Sequence, residues 1–274
     1  MDRRLLTVDT KGGADFLCIA DAVRAAVSGD IIALRMGLYE EKVHLSKEVE
    51  LTADNGTERS EAIINSGIIV TANATVRGIT IQQQVDIRKG SAVLDRCDIS
   101  QGSDCIRVCS DARVTIRNCV IYGASAGGDG LYLQEGAFAD IEGCDIHSCR
   151  VNGIHVRGGE LICRNNSIRD CDYGIFFRKS GHGTVEGNVV ENVKSFGIYV
   201  TGNSDPSVVG KKIRGCDIHG LMVSQNGSGS FRDNQVDSSV RILRGCTPTV
   251  AVNTITGRLD NELVVPTIAP VSAV

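Results

Sequence analysis

Two aspartates, one histidine and one arginine occupy positions from which they could act together in acid–base chemistry. Asp104 and Asp129 each stand just before a short apolar stretch, Cys-Ile-Arg-Val after the first and Gly-Leu-Tyr-Leu after the second. If these stretches are equivalent strands of successive coils, the two aspartates lie about 4.8 Å apart. Carboxylates that close can share a proton, bind a hard cation or divide acid and base roles. His155 and Arg157 follow one coil later and complete the candidate catalytic set. The alternative is a solvated pair of turn aspartates, because Asp suits turns.

A second set of residues occupies the outward position of the same short stretches. Its members, called the outward row below, are Asp86, Arg107, Tyr132, His155, Phe176, Tyr199, Met222 and Arg241. Five consecutive members are aromatic, imidazole or thioether side chains, in a chain with only 4% aromatic residues. Apolar patches with a charged rim are typical of binding surfaces, and Tyr, Phe, Met and Arg are enriched at interface cores. All members except Asp86 are therefore predicted to bind a protein partner, with Arg157 and Arg178 adding to the charged rim. Three alternatives stay open: a terminal segment covers this face, the rings only stabilise the fold, or they bind a glycan.

Two pairs of cysteines have spacings close to those of metal ligands. Cys105 and Cys109 are separated by three residues, and Cys144 and Cys149 by four. In the coil register described next, Cys144 and Cys149 belong to different turns and would enter the core from different directions. The sequence therefore predicts no metal site, and it shows no cofactor motif.

The elements that must position these residues come from an internal repeat. From about residue 67 to 257 the chain repeats Gly-Ile-x-Val, a loop, x-Val-x-x-Asn-x-Ile and another loop. The clearest copies begin at residues 130, 153, 174, 197 and 220, with spacings of 23, 21, 23 and 23. No apolar set recurs at helical spacing across this period, which excludes a helical solenoid. The pattern predicts an all-β fold, a single right-handed parallel β-helix of about nine or ten coils over residues 1–258.

Equivalent positions of successive coils carry matching residues, as stacking in register requires. One turn position, called the amide ladder below, holds Cys97, Cys119, Cys144, Asn166, Asn188, Lys211, Asn234 and Asn253. An outward position holds Arg77, Asp95, Arg117, Glu142, Arg164, Glu186, Val209 and Arg232. Buried amides can bond along the stack, and the alternating charges place opposite signs one coil apart.

Both ends of such a solenoid expose strand edges that need cover. Apolar residues at helical spacing predict a capping helix at about residues 16–28. Residues 259–274 contain two prolines and no repeat, and they are predicted to form a C-terminal tail or cap.

Composition narrows the function classes. The 274 residues have a net charge of −4 and no basic cluster, so neither nucleic acid nor a membrane is an expected partner. No apolar leader or spanning stretch is present, and the eleven cysteines are an odd number. We expect an intracellular protein, cytoplasmic or cytoskeletal and not secreted.

The sequence resembles the pectin-lyase-like right-handed β-helix superfamily. The stretch from Gly12 to Leu45 is similar to the N-terminal cap of pectin methylesterases, including the Gly-x-Tyr-x-Glu-x-Val element at Gly37 to Val43. The coils at residues 174–190 and 197–213 resemble the carbohydrate-binding or sugar-hydrolase repeats of F-box β-helix proteins. The Gln-Asp-Thr and Asp-Phe-Ile-Phe-Gly elements of the esterases are absent, and so is the Asp-Asp with Gly-His-Gly set of polygalacturonases.

Two functions follow from these observations, and the resemblance to F-box β-helix proteins alone implies a third, substrate recognition in a ubiquitin-ligase-like system. The first is a non-catalytic scaffold or adaptor that holds a protein partner through the outward row. The second is a carbohydrate-active enzyme or glycan-binding protein that uses the candidate catalytic set.

Overall fold

Residues 3–125 and 127–262 are described by a computed structural model of the chain. They form three long parallel sheets, and the chain passes from one sheet to the next in every turn. The architecture is a right-handed parallel β-helix, as the repeat predicts. Within the described residues, no helix is long and apolar enough to span a membrane.

Each sheet is defined by its strands. Sheet A contains Leu5–Val8, Ile31–Leu34, Val49–Ala53, Ala74–Arg77, Ser91–Asp95, Arg113–Arg117, Phe138–Glu142, Glu160–Arg164, His182–Glu186, Ser207–Val209, Ser230–Arg232 and Thr249–Ala251. Sheet B contains Gly37–Tyr39, Ala62–Ile64, Thr80–Gln82, Asp98–Ser100, Val120–Tyr122, Asp145–His147, Ser167–Arg169, Val189–Val193, Lys212–Cys216, Gln235–Val236 and Thr254–Ile255. Sheet C contains Val43–Leu45, Ile68–Val70, Val85–Ile87, Ile106–Val108, Leu131–Leu133, Asn152–Arg157, Tyr173–Arg178, Phe196–Val200, His219–Val223, Val240–Ile242 and Leu259–Asn261.

The solenoid has about twelve turns, so the predicted nine or ten coils are too few. The uncounted turns lie ahead of residue 67, where strands such as Ile31–Leu34 and Val49–Ala53 pair in register. These turns bury apolar side chains but lack the Gly-Ile and Asn elements. Counting coils from the spacing of those elements therefore does not include them. At the other end, Leu259–Asn261 pairs with Val240–Ile242 and adds a last strand to sheet C. The rest of the predicted tail, residues 263–274, lies outside the described residues.

The capping helix is shorter than predicted and is held at both ends by the first coils. It spans Ile19–Ala25 instead of about 16–28, because Phe16 bridges to strand residue Val8 and Ala26 leaves the helical conformation. The Glu41 carboxylate accepts hydrogen bonds from the first helical N–H groups, at 2.6 Å from Ile19 N and 2.8 Å from Ala20 N. Such a side-chain cap satisfies donors that the helix itself leaves unpaired. The glutamate of the Gly-x-Tyr-x-Glu-x-Val element therefore docks the cap onto the solenoid.

The amide ladder forms a line of hydrogen bonds inside the core, and one step of this line is missing. In each step, the backbone N–H of one member donates to the side chain of the next. The steps are Cys97 to Cys119, Cys119 to Cys144, Cys144 to Asn166, Asn166 to Asn188, Lys211 to Asn234 and Asn234 to Asn253. The missing step is the one from Asn188, because its neighbour Lys211 has no side-chain oxygen. Among the described residues, none supplies another acceptor for the Asn188 N–H.

Lys211 is a buried amine without a hydrogen-bond partner. The residue is only 1% exposed, and its Nζ makes no hydrogen bond within the described part of the chain. Burial lowers the pKa of Lys211 to about 7, while Cys163 and Glu186 act in the opposite direction. An unfolded lysine titrates near 10.4, so between these two values the unfolded chain holds a proton that the folded chain has released. The free energy of unfolding must therefore rise with pH across this window.

We expect Lys211→Asn to stabilise the solenoid and to remove most of this pH dependence. The new amide supplies the acceptor that the Asn188 N–H lacks and removes an unpaired buried amine, a change worth about 1–3 kcal/mol. Urea unfolding of both proteins at pH 6.5 and pH 9.5 measures the effect. Lys212→Asn, at the exposed neighbouring position, is the control and should change little. An equal pH slope in native protein and Lys211→Asn would contradict this account.

Candidate functional site

The outward row lies on one face of sheet C with every member in the predicted register. Asp86 pairs with Arg107, Arg107 with Tyr132, and the pairing continues coil by coil to Arg241. Most members are half-buried, and His155 is only 7% exposed. The row is therefore a packed column and not a set of free side chains.

The rings of the column stack on one another along the solenoid axis. Ring centroids are 4.9 Å apart for Tyr132 and His155, 5.1 Å for His155 and Phe176, and 4.9 Å for Phe176 and Tyr199. The last two pairs are nearly parallel, with interplanar angles of 18° and 6°. Each face of the His155 and Phe176 rings is covered by a neighbouring ring, so neither ring offers a free face to a ligand. This stacking agrees with the alternative in which the rings stabilise the solenoid.

A second row, one that the sequence analysis did not identify, runs beside the column. It occupies the position three residues before each member of the outward row and holds Asp104, Asp129, Asn152, Tyr173, Phe196 and His219. Its last three members extend the aromatic packing, with Tyr173 and Phe196 at 5.6 Å and Phe196 and His219 at 5.7 Å. The recurrence of this position in the repeat was a signal that could have revealed it.

Asp104 and Asp129 are buried, so the interpretation of both as solvated turn aspartates is wrong. Their exposed fractions are 7% and 6%. The Asp104 carboxylate accepts two hydrogen bonds from the Arg107 guanidinium, at 3.0 and 2.8 Å, and a third from the Asp129 backbone N–H at 3.2 Å. Asp104 therefore anchors Arg107 and the next coil.

Asp129 pairs with His155 on the adjacent coil. Asp129 Oδ2 lies 2.7 Å from His155 Nδ1, while Asp129 Oδ1 accepts from the Asn152 backbone N–H and from Asn152 Nδ2, at 3.1 and 2.6 Å. A carboxylate only accepts hydrogen bonds, so Nδ1 carries the proton of the neutral imidazole and Nε2 carries the lone pair. The structure therefore joins the side chains of Asp129 and His155, whereas Asp104 contacts the backbone N–H of Asp129 and not its carboxylate.

A shallow depression of about 400 Å³ opens over this pair. Three of the residues that line it each have a buried side-chain atom without a hydrogen-bond partner among the described residues: Asn152 Oδ1, His155 Nε2 and Arg178 Nε. Buried polar groups are rarely left unpaired. Three of the nine such atoms in the described residues belong to side chains around this one depression, where a bound molecule can supply the missing partners.

Arg157 lies beside the depression instead of within it. It is two residues beyond His155 on the same face and pairs in register with Arg178 of the next coil. The structure therefore brings Asp104, Asp129 and His155 to one depression and adds Asn152, which sequence analysis did not select, and Arg178, which it had placed only on the rim.

The cysteines form no candidate metal centre in the described part of the chain. No group of three or more His, Cys, Asp or Glu side chains there has an arrangement that could hold a metal ion. All eleven cysteines are free thiols. Cys144 lies in the amide ladder, whereas the Cys109 thiol contacts Asp86 on the outer face.

The comparison with known families agrees with this architecture. The family profile described as "Right handed beta helix region" matches residues 104–255. The chain belongs to this right-handed β-helix family. It has the fold of the pectin-lyase-like superfamily, while the finer resemblance to F-box β-helix proteins stays a prediction. No curated protein sequence matches the chain.

Several solved structures are similar to this β-helix. The pectate lyase Pel9A has a TM-score of 0.67 at 12% identity, covering 100% of this chain and 82% of the lyase. The Dettilon tailspike protein has a TM-score of 0.56 at 15% identity, covering 89% of this chain and 64% of its own. The PL6-family alginate lyase AlyGC has a TM-score of 0.51 at 14% identity, covering 99% of this chain and 39% of its own. At these identities the likeness shows the fold alone.

The hydrogen bond to Asp129 leads to a spectroscopic prediction. We expect the neutral His155 ring to be the Nδ1–H tautomer, with distinct ¹⁵N shifts for its two nitrogens. Asp129→Asn should mix the two tautomers, because an amide can donate as well as accept. His147, which stacks on Tyr122 in sheet B at 5.3 Å, is the internal control and should keep its shifts. An unchanged His155 spectrum in the variant would contradict the proposed pairing.

Proposed function

We propose that this β-helix is a carbohydrate-active protein that binds a glycan in the depression on sheet C and uses His155 as a general base. The observation that carries the proposal is the Asp129–His155 pair, whose Nε2 lone pair is buried, unpartnered and located at the depression. A carboxylate on Nδ1 orients the ring and stabilises the imidazolium that forms when Nε2 takes a proton.

The polar groups of the depression suit a ligand rich in hydroxyl groups. Asn152 donates its backbone N–H and one Nδ2–H to Asp129 Oδ1, and its own Oδ1 is an unpaired acceptor that suits an incoming O–H group. His155 Nε2 is a second acceptor, while Arg178 Nε is a donor. Sugars supply several hydroxyls that donate and accept at short spacing, and a site with fixed polar groups selects such ligands strongly. Stacking on the His155 and Phe176 ring faces is not part of the proposal, since neighbouring rings cover them.

The similar structures support the same class of function by analogy of fold. Two of them are named as a pectate lyase and an alginate lyase, enzymes that act on polysaccharides. A fold alone does not determine an activity. The analogy carries weight here because this fold is combined with a buried Asp129–His155 pair beside a surface depression.

The scaffold function stays a prediction and is the second candidate. It needs the outward row to offer apolar surface to a partner, whereas its rings are half-buried and stacked on each other. Tyr199 also directs its hydroxyl to Ser224, at 3.0 Å. The polar atoms left unpaired around His155 favour a small polar ligand over an apolar interface.

We expect His155→Ala to lower turnover of a bound glycan by about 10²–10⁴-fold, the usual contribution of a general base. A panel of neutral and acidic oligosaccharides, screened for binding and for released products, identifies the glycan. His147→Ala is the matched control, because that histidine also stacks on a tyrosine but lies in sheet B.

The outcomes separate the two functions. Glycan binding that is lost or inactivated in His155→Ala and kept in His147→Ala supports the proposal. Equal activity in both variants would show that the depression is not the active site. Absence of any glycan binding across the panel would leave the scaffold function as the better candidate.

A further inference from the structure

Arg157 and Arg178 form a pair of like charges without a protein counterion. They are directly opposite each other on neighbouring strands of sheet C, and both are half-buried. In the described residues, neither guanidinium has a carboxylate oxygen within 4.0 Å. Like charges in directly opposite positions destabilise a sheet. The alternating charges on sheet A show that stacking elsewhere in this chain avoids the problem.

The chain itself shows what satisfies two arginines on nearby coils. On sheet A, the Asp140 carboxylate lies between Arg117 and Arg164, with Oδ2 at 2.6 Å from Arg117 Nη2 and Oδ1 at 2.9 Å from Arg164 Nη2. One oxyanion thus bridges two guanidinium groups along the solenoid axis. Arg117 and Arg164 are two coils apart, with Glu142 on the coil between them. The pair on sheet C lies on adjacent coils and has no bridging carboxylate in the described structure.

Arg178 links the pair to the depression described above. Its guanidinium lies 5.8 Å from the centroid of the Phe176 ring, and its Nε is buried and without a hydrogen-bond partner among the described residues. Arg157 lies two residues beyond His155 on the same outward face, a separation of about 7 Å along a strand. An anion between the two arginines would therefore lie beside a molecule bound at His155.

We infer that Arg157 and Arg178 form an oxyanion subsite that receives a carboxylate or a sulfate ester of the bound glycan. This inference rests on the proposed function and specifies its ligand as an acidic glycan. Guanidinium groups bind planar and tetrahedral oxyanions through paired N–H donors, which is why arginine predominates in such sites. A neutral sugar would leave both charges uncompensated.

Simple anions test the subsite independently of the glycan. Thermal unfolding is measured in sodium acetate, sodium sulfate and sodium chloride at equal ionic strength, for the native protein, Arg157→Gln, Arg178→Gln and the control Arg232→Gln. Arg232 is an exposed arginine on sheet A without a carboxylate within 4.0 Å in the described structure. Sulfate also stabilises proteins by exclusion from their surface. The quantity compared is therefore the difference between variants in the melting-temperature change that each anion causes.

We expect acetate or sulfate to raise the melting temperature of the native protein and of Arg232→Gln above the value in chloride. Arg157→Gln and Arg178→Gln should lose this specific rise. In chloride alone, Arg157→Gln should melt higher than the native protein because the repulsion is removed. A rise in acetate identifies carboxylate as a ligand, and a rise confined to sulfate identifies the sulfate ester. Equal responses of all four proteins to both anions would overturn the inference.

Oligosaccharide pairs that differ only in charge test the ligand class. Oligogalacturonides are compared with their methyl esters, and sulfated with desulfated galactans, by calorimetry. We expect Arg178→Gln to weaken binding of the acidic member at least tenfold and to leave the neutral member unchanged. Tighter binding of the neutral members by the native protein would overturn the inference while the proposed function stands. If no member binds, the proposed function fails, and the anion experiment alone decides the subsite.

Discussion

Each coil of this molecule rests on the next in register, and this stacking at the spacing of one β-strand is the constraint on which the rest of the structure depends. Every side chain meets its counterpart of the neighbouring coil at about 4.8 Å. A residue therefore has to be compatible with its equivalents above and below. Apolar residues fill the interior, Cys and Asn bond along the amide ladder, and charges on sheet A alternate in sign. Aromatic rings on sheet C stack face to face for the same reason.

The positions that depart from this rule are few, and they differ in kind. Lys211 places a buried amine where the neighbouring coils have an amide. It does not line the depression, so it destabilises the core without contributing to the candidate site. Around the depression on sheet C, three residues with buried, unpaired polar atoms lie together, and two arginines stack on adjacent coils. Elsewhere in the described chain, single buried polar atoms without a partner occur on Gln84, Asp98, Asp145, Ser204 and Arg241. Folded sequences usually satisfy local rules except where function requires otherwise. The density of exceptions around His155 is therefore an argument for a site that does not depend on the similarity to other proteins.

Periodicity made the fold and the register predictable, because glycine, isoleucine and asparagine recur at nearly constant spacing. The number of coils was underestimated because the first coils are filled by apolar residues and lack those markers. The helix was overestimated at both ends. Its start depends on the Phe16 bridge and on the Glu41 cap, which are tertiary contacts, and its end lies where Ala26 leaves the helical conformation. Asp104, Asp129 and His155 were selected correctly as neighbours, but their hydrogen bonds were not. Whether an aspartate is solvated or bonded depends on the coil beside it, and turn propensity carries no such information.

In the proposed function, the stacking that stabilises the solenoid also holds His155 in place for proton transfer. Tyr132 and Phe176 cover its two faces, and Asp129 fixes its Nδ1 edge, so the ring has little freedom to rotate. A base held in this way loses little conformational entropy when substrate arrives, which is how rigid sites accelerate reactions. Stabilising rings and a catalytic base are therefore not competing interpretations of the outward row. A column whose members mostly support the fold can also hold one imidazole in place with its Nε2 unpaired. Proton transfer to this nitrogen can then occur at the depression beside that coil.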